Sequence, residues 1–183
     1  MNYKEIVKHI KQGNTILYPT DTVWGLGCDA TNEEAVKKIY ELKNREESKS
    51  LIILVASIEM LQEHVENIPE KALELLKNAE KPTTIIYSNP NNLAANTIAT
   101  DNTIAIRIPQ DDFCIQLIEE FGKPIVSTSA NVSGESTPKS FSEISEAILK
   151  NVDYVVNLHQ EKVAEKSSTI LKIEDDAIIV IRE

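Results

Sequence analysis

Lys43, Arg45 and Lys49 lie within the single stretch LKNREESK. Cations at that spacing suit one of two tasks. At a helix C-terminus they complement the negative end of the dipole on a solvated face. Converging on one ligand, they clamp an anion, and phosphate is the anion that several cations hold best. The segment PTDT (residues 19–22) closes an apolar run with a proline. Thr20, Asp21 and Thr22 then stand at the C-terminal end of an expected strand, the end where open α/β sheets hold ligands. Arg107 sits inside the apolar stretch TIAIRIP. A guanidinium there must reach a sheet edge, an internal carboxylate or a ligand, because burying it unpaired is costly. Finally, STSANVSGESTP carries the hydroxyls of Ser127, Thr128, Ser129, Ser133, Ser136 and Thr137 and the amide of Asn131. With Gly134 it is either an ordinary polar loop or a wrap for phosphate oxygens.

Other chemistries lack their residues. Gly25-Leu26-Gly27 has no third glycine to complete a dinucleotide fingerprint, and GK[ST] is absent, so these glycines read as a tight turn between a strand and a helix. Trp24 beside them is either cavity wall or core. His9, His64 and His159 are scattered over expected surface positions, without metal-ligand spacing and without a convincing Ser-His-Asp order. Cys28 and Cys114 stand far apart and read as small buried residues in a reducing, cytoplasmic compartment. What is left is a hydroxyl- and cation-lined site for phosphates and a carboxylate, with no protein nucleophile.

The elements that must position these residues follow from periodicity. Tyr3, Ile6, Val7 and Ile10 recur at helical spacing and Gly13 ends that helix. TILY (15–18) reads as a strand. Thr31 and Glu34 suggest a capping box for a helix starting near Asn32 and running to about Asn44. LIILVA (51–56) reads as a strand covered on both faces. Short helices follow over 58–65 and 70–79, then strands at 83–87 and 103–108. Asp111 or Asp112 caps a helix ending at Gly122. PIVST (124–128) is a strand, 142–150 a helix, and DYVVN, STILKI and AIIVIR are strands, the last two joined by an EDD turn. The mixture gives an α/β fold with a mixed sheet around one core, a single domain over 1–183. A net charge of -10 disfavours general nucleic-acid binding, and no apolar run of membrane-spanning length occurs. The amphipathic start lacks the apolar core of a signal peptide.

In their order and spacing, YPTDTVWGLGCDA, LKNREESKSL, IAIRIP and STSANVSG resemble the YrdC/Sua5 family of threonylcarbamoyl-AMP synthases. The resemblance covers nearly the whole chain and is similar in size to the short bacterial form, without the extra C-terminal domain of longer members. It implies a twisted α/β fold with a concave, open cavity. The activity it implies joins L-threonine, bicarbonate and ATP, with Mg²⁺, into L-threonylcarbamoyladenylate with release of pyrophosphate. A separate threonylcarbamoyl-transferase complex would then modify tRNA, with direct tRNA binding by this chain weak or absent. By motif, Lys43, Arg45 and Lys49 would be the catalytic basic segment at ATP. Thr103, Ser129, Asn131, Thr137 and Arg182 would line the nucleotide, and Thr22, Arg107, Ser127 and Ser168 would hold threonine. No metal-ligating side chain is implied. The chain departs from the family at Glu46, where proline is usual, at Ser50, where proline or glycine is common, at Leu54, where longer members have histidine, and at EKPTT, in place of Pro-Gly-Pro. The alternative is a non-catalytic nucleotide- or RNA-binding paralogue of the same fold, which a degraded Lys/Arg/Ser-Asn set or a basic surface would mark.

Overall fold

The computed structural model describes residues 2–46, 51–164, 167–174 and 177–183. Lys49 and Ser50, and the turn expected at Asp175 and Asp176, lie outside the described residues. The helices are α1 (Tyr3–Lys11), α2 (Glu33–Lys43), α3 (Ile58–His64), α4 (Glu70–Asn78), α5 (Asp112–Phe121) and α6 (Glu146–Asn151). The strands are β1 (Ile16–Tyr18), β2 (Gly25–Gly27), β3 (Ile52–Leu54), β4 (Thr83–Ser88), β5 (Thr103–Arg107), β6 (Ile125–Ser129), β7 (Tyr154–Val155), β8 (Thr169–Glu174) and β9 (Ala177–Arg182). They form one mixed sheet in the order β7-β1-β2-β6-β3-β5-β4-β8-β9.

Strand parity divides the molecule. Ile53, Val55, Ile85, Ile104, Ile106 and Val126 point to one face and pack in a single apolar cluster with residues of α2, α3, α4 and α6. Tyr18, Leu54 and Ile125 point the other way and pack with residues of α1 and α5. Those two helices cover only part of this second face. Beyond them, Ile52, Ala105, Arg107 and Ser127 border a cavity instead. β3 is therefore covered on one face and only in part on the other, where Leu54 is buried and Ile52, half-buried, borders the cavity.

Local chemistry sets the ends. Asp111, rather than Asp112, is the cap of α5, accepting from the Cys114 N–H at 2.9 Å. Gly122 closes that helix at a φ of 78°, a conformation glycine adopts freely. The expected Thr31–Glu34 capping box is replaced by Asn32, whose side-chain oxygen accepts from the N–H groups of Glu34 and Ala35. Thr31 is drawn away by Asp29, which takes both its N–H and its hydroxyl. The helix expected over 142–150 divides into a 3₁₀ turn, Phe141–Glu143, and α6. His64 is buried, not on the surface, with Nδ1 3.3 Å from the Asn91 carbonyl.

The largest correction concerns Gly25-Leu26-Gly27, which is a strand and not a turn. It pairs antiparallel with both β1 and β6. The glycines are there for close approach. A Cβ on Gly27 would stand 2.6 Å from the Val126 carbonyl oxygen and 2.7 Å from the Tyr18 ring. The Tyr18 ring lies across this strand, and its hydroxyl donates to the Val126 carbonyl at 3.2 Å. Burial raises the Tyr18 phenol far above its ordinary range, so it stays protonated. Trp24 is core, 3% exposed and tilted against Phe141. Cys28 and Cys114 are buried free thiols, each raised in pKa chiefly by burial.

Candidate active site

The loop after β1 turns back on itself through hydroxyls. Thr20 donates to the Val23 carbonyl at 2.7 Å and accepts the Thr22 N–H at 3.1 Å. Its proton being committed to Val23, Thr22 is the donor in the 3.0 Å contact between the two hydroxyls. The Thr22 oxygen is thereby left with lone pairs for Arg107 Nη2, 3.5 Å away, and for whatever enters the cavity.

Arg107 ends β5 and is 3% exposed. Its Nη1 pairs with Asp21 Oδ1, and both members of this salt bridge are buried. The sequence left open whether this arginine meets a carboxylate or a ligand. The structure supplies the carboxylate and still places the guanidinium on the cavity wall.

That cavity, of about 360 Å³, has a floor of Leu51, Ile52, Ile86, Ala105 and Ile170. Around it stand Arg45, Arg107 and Arg182 with the hydroxyl residues Thr22, Ser127, Ser129, Thr137 and Ser168. No Asp or Glu is among its described lining residues. Cations and hydroxyls over an apolar floor, without competing carboxylates, make a site for a multiply charged anion carrying a flat or apolar part. Arg182 is tied down by Ser168, donating from Nε and Nη2 to its carbonyl at 3.2 and 2.8 Å and from Nη2 to its hydroxyl at 3.3 Å. Burial first, and the charge of Arg107 second, lower the Arg182 pKa, as expected of two guanidiniums facing one space.

Of the residues singled out in the sequence, Thr22, Arg45, Arg107, Ser127, Ser129, Thr137, Ser168 and Arg182 come together on this wall. Thr103 stands beyond it, on the same face of β5 as Ala105 and Arg107, with its hydroxyl 2.6 Å from Asp101. Two residues are placed differently. Lys43, 1% exposed, is not on the cavity wall. Its Nζ donates to the carbonyls of Ser129 at 2.5 Å and Asn131 at 2.6 Å, while its own carbonyl accepts the Ser133 N–H at 2.7 Å. Burial first, then the charge of Arg45, lower its pKa to about 8. Asn131 uses its amide within the loop, donating to the carbonyls of Val132 and Glu135.

Leu54 does not wall the cavity either. It is fully buried in the cluster with α1 and α5, where a histidine side chain would meet apolar groups. Sequence reasoning missed Thr84, whose buried hydroxyl lies 2.9 Å from the Ser168 hydroxyl. It also gave Asp21 no partner. Thr84 is directly opposite Arg107 in the β4–β5 register, so the alternation in TTIIY was the available signal. Among the described residues, no group of His, Cys, Asp and Glu could hold a metal ion.

The chain is similar over most of its length to threonylcarbamoyl-AMP synthases. A threonylcarbamoyl-AMP synthase of Vibrio vulnificus is 31% identical over 158 residues, covering 85% of this chain and 85% of that protein. A threonylcarbamoyl-AMP synthase of Bacillus subtilis is 33% identical over 175 residues, covering 94% of this chain and 50% of the relative. The crystal structure of P. abyssi Sua5 complexed with L-threonine superposes with a TM-score of 0.84 at 28% identity, over 98% of this chain and 53% of that one. The chain thus spans 85% of the Vibrio relative and about half the length of the longer ones. The Sua5/YciO/YrdC family model, described as "Telomere recombination", matches residues 8–183, and the chain belongs to that family.

Proposed function

We propose that this protein is an L-threonylcarbamoyladenylate synthase, a nucleotidyltransferase that joins L-threonine, bicarbonate and ATP and releases pyrophosphate. The observation that carries the reading is the cavity itself: three arginines and a set of hydroxyls over an apolar floor, without a carboxylate among the described lining residues. The relatives' activity and the threonine held by P. abyssi Sua5 support the same assignment.

Threonine's carboxylate is assigned to Arg107, and its amine and hydroxyl to Thr22, Ser127 and Ser168. Arg45, Lys49, Thr103, Ser129, Thr137 and Arg182 take ATP, its base over the apolar floor. Lys43 and Asn131 serve the nucleotide by shaping the Ser129 loop. The neutral amine of threonine attacks the bicarbonate-derived carbon, with loss of water, to give a carbamate. A carbamate oxygen then attacks the α-phosphorus, the bond to the bridging oxygen breaks, and pyrophosphate leaves. Positioning of three reactants and stabilisation of phosphate charge supply the rate, since no side chain forms a covalent bond.

Mg²⁺ enters this scheme as part of the ATP substrate. A wall without carboxylates among the described residues fits an ion carried on phosphate oxygens and water, with the Ser129 and Thr137 hydroxyls available to its shell. When bound, it offsets charge on the transferring and leaving phosphates. The adenylate is then consumed by a separate threonylcarbamoyl-transferase complex acting on tRNA. Direct tRNA binding by a chain of net charge -10 is weak. The cytoplasm is the compartment that suits these substrates and two buried free thiols, and no helix among the described residues is long and apolar enough to cross a membrane. Mass spectrometry of a reaction containing all three substrates tests the proposal. An adenylate carrying both threonine and the bicarbonate carbon supports it, and AMP formation indifferent to threonine contradicts it.

A further inference from the structure

We infer that Asp21 is a positioning residue for amino-acid recognition: it holds the Arg107 guanidinium so that one full edge of it faces the substrate carboxylate. The inference rests on the synthase reading above.

Both Asp21 oxygens are committed. Oδ1 accepts from Arg107 Nη1, and Oδ2 accepts the main-chain N–H of Gln110 at 3.0 Å. Gln110 is itself held, its side-chain amide donating to the Ala79 carbonyl at 2.7 Å. Asp21 is therefore braced against the chain that leaves β5, three residues after the arginine it grips. The Val55 N–H donates to the Arg107 carbonyl at 3.1 Å and fixes that strand end from the other side.

The guanidinium's donors are divided by this arrangement. Nη1 goes to Asp21. Nε and Nη2 form the opposite, fork-like edge, and that edge is under-used. Among the described residues, Nε is buried without a hydrogen-bond partner, and Nη2 has only the 3.5 Å contact to Thr22. A buried N–H left unmade is costly, so a wall arginine with this edge unpaired among the described residues suits a ligand that brings two oxygens. A carboxylate satisfies both donors at once, as bidentate Arg–carboxylate pairs do. Asp21 also has an electrostatic effect. Its carboxylate offsets part of the charge that Arg107 brings to a cavity already holding Arg182, whose pKa Arg107 still lowers. Directional control, rather than added attraction, is what Asp21 contributes.

The test compares L-threonine with L-threoninamide, which keeps the amine, hydroxyl and methyl and lacks the carboxylate. Calorimetry on the full chain gives the affinity ratio of the two ligands for wild type and for Asp21→Asn, with ATP affinity as the control. The expected result is a loss of threonine affinity of about tenfold, the scale of one charged hydrogen bond, with threoninamide and ATP within about twofold of wild type. The ratio would narrow accordingly. A variant that weakens both amino-acid ligands equally, or keeps the wild-type ratio, overturns the assignment. Should Asp21→Asn lose its melting transition, the same ratio is read on Asp21→Glu, which keeps the charge but displaces the guanidinium. An unchanged ratio there overturns it as well. If wild type itself binds no threonine, the synthase reading fails. If wild type discriminates and the variants match it, only the role of Asp21 falls.

Discussion

Lys43 and Ser129, 86 residues apart in the chain, are joined by a hydrogen bond from the buried ammonium to the main-chain carbonyl. The same nitrogen holds the Asn131 carbonyl, so the last residue of α2 fastens both ends of a three-residue turn that borders the cavity. A cation whose sequence context suggests a phosphate clamp acts here on the loop that would touch the phosphate.

Lys43→Met tests that arrangement. The thioether fills similar space but leaves two carbonyls without their charged donor, a loss of about 1–3 kcal/mol in folding stability. Steady-state kinetics should show kcat/KM for ATP reduced about tenfold or more, with threonine affinity changed much less. Equal loss for both substrates would mean that the loop does not divide them.

The pH dependence of Lys43 gives two effects of opposite sign. Its pKa is about 8 when folded against 10.5 ordinarily. Below 8 the ammonium is intact and the Ser129 loop is fully held. Above 8 the proton leaves the folded protein, so kcat/KM for ATP should fall. Over 8 to 10.5 the unfolded chain still binds the proton that the folded chain has released, so this group's contribution to stability rises with pH. A pH–rate profile should show the alkaline limb in wild type and lose it in Lys43→Met.

Arg107 and Lys49 should separate the two halves of the site. Arg107→Lys keeps the charge beside Asp21 but has no fork. Threonine affinity should fall about tenfold while ATP affinity holds. Arg107→Ala should lose threonine binding more completely, at the further cost of leaving Asp21 buried and unpaired, about 3–5 kcal/mol. Lys49→Ala should weaken ATP and spare threonine. Ligand titrations of the variants provide the comparison.

The two glycines of β2 should respond differently to alanine. At Gly27 the new methyl meets a main-chain carbonyl and a buried ring, both under 3 Å, and neither has room to move. Overpacking of that kind costs about 1–3 kcal/mol or more, which lowers the melting temperature by several degrees. At Gly25 the neighbours are side chains at 3.3 Å, including the Ser127 hydroxyl on the cavity wall. Gly25→Ala should therefore cost less stability and more threonine affinity.

Most elements were legible in the sequence because their signals are local. The apolar spacing of Ile6, Val7 and Ile10, the cap at Asp111 and the left-handed Gly122 each depend on a few adjacent residues. β2 was not legible. Two glycines and one leucine carry no strand propensity, and their pairing is imposed by Tyr18 and Val126, which are brought there by the rest of the sheet. The site divides in the same way. The hydroxyl and arginine positions stand out by type, and most of them do converge. The placement of Lys43 under the wall, the Asp21–Arg107–Gln110 link and the Thr84–Ser168 contact are tertiary, spanning 84 to 89 residues of chain. Spacing along the chain cannot reveal which of several cations faces the ligand and which faces a carbonyl.

The most direct test is to supply purified protein with ATP, Mg²⁺ and carbon-labelled bicarbonate and to follow label and pyrophosphate with and without L-threonine. The expected result is label in an adenylate, with one pyrophosphate released per labelled adenylate formed, and neither without threonine. Release of pyrophosphate or AMP that does not depend on threonine, or a threonine-dependent product without the label, would contradict the assignment of this cavity.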